Sequence, residues 1–135
     1  MKLLIDTNIF LEVLLGQTNE REVCSLMEKS VEHQFFISDY SFHSIGLLLF
    51  RRKQHEIFRQ FLSEMITNAA IIISLSLDDM EPVIEVAKRF NLDFDDAYQY
   101  VAAEKYGLTL VSYDSDFDRT ERGRKLPSQI LVANQ

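Results

Sequence analysis

Six of the chain's ten aspartates lie between Leu92 and Asp118, in two groups: Asp93, Asp95 and Asp96, then Asp114, Asp116 and Asp118. A further one, Asp6, stands near the start of the chain beside Thr7 and Asn8. Carboxylates brought together raise one another's pKa unless a proton or a cation compensates. An all-oxygen set of this kind suits a hard divalent ion, Mg²⁺ or Mn²⁺. The corresponding chemistry is metal-assisted phosphodiester hydrolysis, in which carboxylates hold one or two ions that deprotonate a water and neutralise the charge developing at phosphorus. Any one of these acids could simply cap a helix or face solvent, as expected for Asp78, Asp79 and Asp93. Only the set Asp6, Asp95, Asp96, Asp114 and Asp116, taken together, points to this chemistry.

Positioning such a set requires particular elements. Lys2 to Ile5 reads as a brief apolar strand ended by Asp6, with Thr7 or Asn8 capping the helix that Ile9, Phe10, Val13 and Leu14 begin. Ala97, Tyr100, Val101 and Glu104 recur at helical spacing behind Asp95 and Asp96. Gly107 suits the left-handed position that closes that helix. Leu108 to Ser112 then reads as a buried strand with Asp114 just beyond its end. Two strand-end acids and one helix-start pair therefore face the crevice at the carboxyl edge of an α/β sheet, if their strands are neighbours.

The rest of the chain alternates in the same way. Asn19 and Glu22 have capping-box spacing before a helix over Val23 to Val31. Phe35 to Ser38 is the next strand, and Ser38 or Asp39 caps a helix whose centre, Ile45 to Phe50, is apolar almost all round. An amphipathic helix with Ile57, Phe58, Phe61, Leu62, Met65 and Ile66 follows, then a buried strand, Ala70 to Ser74. Pro82 belongs to the first turn of a further helix, and Gln129 to Val132 reads as a last strand. The order favours a parallel sheet covered on both faces. The 135 residues are expected to form one domain, 1–135.

A net charge of −7 argues against nucleic-acid binding through bulk charge, though not against a nuclease whose carboxylates are neutralised by ions. Basic residues gather at Arg51 to Lys53 and at Arg119, Arg122, Arg124 and Lys125; the second group is the candidate phosphate-binding patch. No apolar run is long enough to span a bilayer and no signal-peptide pattern opens the chain, so a cytoplasmic protein with no membrane association is expected. The single cysteine, Cys24, fits a reducing compartment and reads as a small core residue. Walker, GxSxG and HExxH patterns are absent.

Asp6-Thr7-Asn8 after the first strand, Asp95-Asp96-Ala97 opening a helix, and Leu110 to Phe117 (LVSYDSDF) together resemble the PIN domain, in the small form found in VapC toxins. The likeness spans the whole chain, and it is the joint order and spacing of the motifs that make it specific. It implies a three-layer α/β/α sandwich with a five-stranded parallel sheet, and a Mg²⁺- or Mn²⁺-dependent endoribonuclease acting on single-stranded RNA. It also implies a homodimer and a small antitoxin partner. Residue by residue, Asp6 matches the first family acid, Asp96 the third, Asp114 the fourth and Asp116 the auxiliary acid. The second, a glutamate early in the third helix, is replaced: the chain reads Phe42-His43-Ser44-Ile45, and no glutamate occurs between Glu32 and Glu56. That departure implies attenuated activity, with Asn8, His43, Ser44 and Asp95 as auxiliary candidates. The alternative is a weakened PIN-like module that binds RNA or protein without turnover.

Overall fold

The computed structural model describes residues 1–133. Four strands form one sheet in the order β3-β2-β1-β4: β1 is Lys2–Ile5, β2 Gln34–Ser38, β3 Ile71–Ile73 and β4 Thr109–Val111. Every pairing is parallel, with Leu4 opposite Phe36 on one side and Leu110 on the other. The helices are α1 (Thr7–Leu14), α2 (Glu20–Met27), α3 (Asp39–Arg51), α4 (His55–Thr67), α5 (Met80–Phe90), α6 (Phe94–Tyr106) and α7 (Pro127–Ala133).

Alternation along the strands separates two cores. Leu3, Ile5, Phe35, Ile37 and Val111 point to one face, where Ile9, Phe10, Val23, Leu26, Ile45, Leu49, Phe61 and Ile130 cover them from α1, α2, α3, α4 and α7. Leu4, Phe36, Ile73 and Leu110 point to the other, against Tyr100, Ala102 and Ala103 of α6. Val83 of α5 closes that side by packing with Ala97 and Val101. This is the expected three-layer sandwich, built because successive strand side chains leave opposite faces of the sheet. The chain runs β1 to β2 to β3 with helices on the first face, then crosses back under α5 and α6 to place β4 on the far side of β1. The order therefore reverses between β1 and β4, and the crevice beyond their carboxyl ends is where such sheets bind ligands.

Four expectations need correction. The sheet has four strands, not five. Among the described residues, only Lys125 bridges to Val111 where a fifth strand would lie. Gln129 to Val132, read from sequence as that strand, belongs to α7. Pro127 has no N–H for a ladder and a φ suited to a first helical turn, while Gln129 Oε1 accepts from Leu126 N at 2.8 Å. Ile130, only 2% exposed, packs into the first core at helical spacing. The third strand is shorter than expected and lies at the sheet edge, so that Ile71 and Ile72 are exposed. Asn19 does not use its side chain to cap α2; its amide instead donates to Glu12. No helix of the described residues is long and apolar enough to cross a membrane.

Candidate active site

Asp6 ends β1 with its backbone tied to the neighbouring strand: its N–H donates to Val111 O at 3.0 Å. Asp6 itself caps α1, in place of the Thr7 or Asn8 expected, by accepting from Thr7 N at 2.9 Å. Its carboxylate is buried and surrounded by donors. Oδ1 also receives Gln99 Nε2 at 2.9 Å, and Oδ2 receives Ser112 Oγ at 2.7 Å and Asn8 Nδ2 at 3.4 Å. Burial raises the Asp6 pKa, the donors pull it back, and the charge on Asp114 adds to the rise. Asn8 works across the β1–β4 junction, accepting from Tyr113 N at 3.1 Å and donating to Ser112 Oγ at 3.2 Å. The two strand-end motifs are thus stitched together by Asn8 and Ser112.

Beyond Ser112 the chain turns sharply. Ser112 Oγ accepts from Asp114 N at 3.0 Å. Asp114 then caps the 3-10 turn Ser115–Arg119 by accepting from Asp116 N at 2.9 Å. Asp96 approaches from the first turn of α6, and carboxylate oxygens of Asp96, Asp114 and Asp116 all lie within 4.8 Å of one another. The Asp96 pKa is raised to about 7, first by burial and then by the charges of Asp114, Asp95 and Asp6. A helix N-terminus favours a carboxylate by only about 0.3–1 kcal/mol at exposed sites, so here crowding and burial overrule it. An oxygen-only set this crowded has the donor chemistry of a hard divalent cation site. The cleft it borders, about 220 Å³, is lined by Asp6, Asn8, Tyr40, Asp96, Gln99 and Asp114 among others.

The third wall is α3, capped by Ser38, whose hydroxyl accepts from Ser41 N at 3.1 Å. Ser41 is fully buried and receives Thr7 Oγ1 and Gln99 Nε2, each at 2.8 Å. Tyr40 donates to Asp95 Oδ2 at 3.2 Å. His43 is exposed and lines a separate groove with Phe42, Ile72, Phe94 and Tyr98. Of the two residues standing where a fourth acid is missing, Ser44 is half-buried and His43 exposed. Ser44→Glu is expected to strengthen Mn²⁺ binding about tenfold, in line with the effect of near-site carboxylates, while His43→Glu leaves it unchanged. Calorimetric titration of both variants checks this, and an equal gain in the two would mean a long-range charge effect.

The basic group divides. Arg122 donates to Leu108 O at 3.0 Å and to Ala103 O at 3.5 Å. Arg124 donates to Ser112 O at 3.2 Å and pairs with Asp118 at 3.1 Å. Both guanidinium groups thus hold the loop that follows β4. Arg119 lies beside the acids, 3.4 Å from Asp116 Oδ1, and Lys125 is exposed.

Gln99 and Ser41 escape a search for charged motifs. A signal was available: Gln99 is three residues past Asp96, on the same helix face, and is polar within the otherwise apolar run Ala97 to Ala103. Buried polar side chains are kept where something bonds them.

A parallel sheet with this strand order, carrying strand-end acids that meet a helix-start acid, defines an acid-lined site at the carboxyl edge of an α/β fold. Residues 3–123 match the PIN domain, and the chain belongs to that family. No curated protein sequence matches it. Among solved structures, a toxin–antitoxin complex from Klebsiella pneumoniae superposes with a TM-score of 0.71 at 24% identity, covering 93% of this chain and 97% of that one. VapBC2 of Rickettsia felis, solved bound to a promoter DNA fragment, gives 0.74 at 16% identity, with 92% and 96% covered. The sarcin–ricin-loop-cleaving toxin VapC20 of Mycobacterium tuberculosis gives 0.70 at 18%, with 86% and 92% covered. These likenesses establish the fold.

Proposed function

We propose that this chain is a divalent-metal-dependent endoribonuclease cleaving single-stranded RNA, with Asp6, Asp96, Asp114 and Asp116 as its catalytic acids. The observation that carries the reading is the meeting of Asp96, Asp114 and Asp116 within 4.8 Å, with Asp6 lining the same cleft. A Mg²⁺ or Mn²⁺ ion held by these carboxylates would neutralise phosphate charge and acidify an attacking water. Around it, Asn8 and Ser112 keep the strand ends in register. Arg119 and Lys125 are the side chains of the basic group left to meet phosphate. The direct test is cleavage of a mixed RNA pool with Mn²⁺, with Mg²⁺ and with chelator, beside Asp6→Asn. Metal-dependent cleavage lost in the variant is the expected result. Cleavage that survives both chelator and Asp6→Asn would sink the reading.

The fold neighbours described as toxin–antitoxin complexes support the role of a VapC-type toxin with a small antitoxin partner, acting in the cytoplasm where RNA is its target. A homodimer is the proposed assembly. Leu47 and Phe50 of α3 and Ile66 of α4 are 43%, 55% and 80% exposed, an apolar excess of the sort that marks an interface. Sedimentation is expected to give a dimer at micromolar concentration, converted to monomer by Phe50→Glu; a monomeric wild type would refute it. The second reading, a PIN-like RNA- or protein-binding module without turnover, is favoured by one observation, the absence of a glutamate early in α3, where the chain reads Phe42-His43-Ser44-Ile45.

A further inference from the structure

Gln99 is 1% exposed in the middle of α6. Its Nε2 donates to Asp6 Oδ1 at 2.9 Å and to Ser41 Oγ at 2.8 Å, using both amide protons and fixing the plane of the group. The remaining atom, Oε1, is buried and has no hydrogen-bond partner among the described residues. Leaving a buried carbonyl unpaired costs about 1–3 kcal/mol, a cost that an apolar residue at this position would not incur. The same side chain lines the cleft together with Asp6, Asp96 and Asp114. An unpaired amide oxygen beside a carboxylate cluster has the chemistry of a hard-cation donor, since amide carbonyls serve with carboxylates in oxygen-only sites. Being neutral, it adds a donor without adding to the repulsion among the acids.

We propose that Gln99 completes the cation site of this chain, its amide nitrogen positioning Asp6 and its carbonyl oxygen facing a divalent cation or that cation's hydration water. The inference rests on the metal-site reading above, and the choice of glutamine over glutamate follows from it. A glutamate would bring a further negative charge against Asp6 Oδ1 in the metal-free protein, and would remove the donor that holds it.

The test is a Mn²⁺ titration of the full chain, following free Mn²⁺ by electron paramagnetic resonance, for wild type, Gln99→Met, Gln99→Glu and Asp114→Asn. Gln99→Met, similar in length but without donor or amide acceptor, is expected to weaken Mn²⁺ binding about tenfold, the usual effect of losing a group that supports a metal site. Gln99→Glu is expected to lower the metal-free melting temperature and yet bind Mn²⁺ several-fold more tightly. A purely structural glutamine would leave the Mn²⁺ affinity of both folded variants within about twofold of wild type, against the tenfold loss a supporting group gives, and that result would overturn the proposal. Should Gln99→Met fail to fold, the sign of the affinity change in Gln99→Glu decides alone. Asp114→Asn separates the two levels. Wild-type affinity in that variant would defeat the acid-cluster reading itself, whereas lost affinity there with unchanged affinity in the Gln99 variants defeats only the role given to Gln99.

Discussion

Asp114→Asn is expected to abolish RNA cleavage, by at least about 100-fold, and to remove the thermal stabilisation that Mn²⁺ gives the wild type. The fold should survive. Asp114 caps the 3-10 turn through Oδ1, which accepts from Asp116 N at 2.9 Å, and an asparagine oxygen can accept the same bond. What the substitution removes is charge. Asp114 is the foremost electrostatic cause of the raised pKa of Asp96 and also acts on Asp6. Its loss should therefore leave the metal-free protein as stable as wild type or more so, because two crowded carboxylates are relieved. A cation that binds the folded state alone stabilises it by about 2.7 kcal/mol at 100 times its Kd. The contrast to measure is a pair of melting curves, with MnCl2 and with chelator. If the variant keeps the wild-type metal shift, the ion binds elsewhere.

Metal binding is expected to weaken steeply as pH falls. The Asp96 pKa is about 7, so the cation must displace a proton below neutrality. From pH 8 to pH 5.5 the ionised fraction of a group with that pKa falls roughly 30-fold, and apparent Mn²⁺ affinity should fall with it. Without metal the trend has the opposite sign. The folded-state pKa of Asp96 lies above its ordinary value of 3.8, so between about pH 4 and pH 7 the folded state holds a proton that the unfolded chain has released. Stability from this group is full at the acid end of that window and declines as pH rises through about 7. Asp6 is shifted in the same direction. Melting temperature with chelator should thus decline toward alkaline pH, while the increment due to Mn²⁺ grows. An increment that does not change with pH would mean that Asp96 is not among the ligands.

Much of this architecture is local and so is readable along the chain. Asp6 and Asp114 are strand-end acids because short apolar runs, Leu3 to Ile5 and Leu108 to Val111, stop just before them. Asp95 and Asp96 open a helix that Gly107 closes in the left-handed conformation at φ 66°. Leu3 and Ile5 against Leu4, and Phe35 and Ile37 against Phe36, already encode two covered faces, since the strand period is two. The absence of glutamate from the start of α3 is likewise plain in the sequence. The C-terminal segment misleads because Gln129 to Val132 is a short apolar run, and periodicity alone does not separate strand from helix at that length. Pro127 and the Gln129 side chain decided it.

The remaining features depend on residues far apart in sequence. Which acids meet was settled by the strand order, because placing β4 beside β1 brings Asp114 and Asp116 to Asp96 and puts Asp6 on the same cleft. The same crossover carries Gln99 to Asp6, a contact 93 residues apart, and makes an interior glutamine part of the site. It also turns Arg122 and Arg124 inward to the carbonyls of Leu108, Ala103 and Ser112, so a basic-looking loop holds itself in place. On α3, a single residue of helical rotation separates the half-buried Ser44 from His43, which is exposed and lines another groove. Sequence determined which residue types were available at the ends of elements. Only the packing of those elements decided which of them share one buried, low-dielectric cleft, and there burial first, then the charges of Asp114, Asp95 and Asp6, lifts Asp96 to a pKa of about 7.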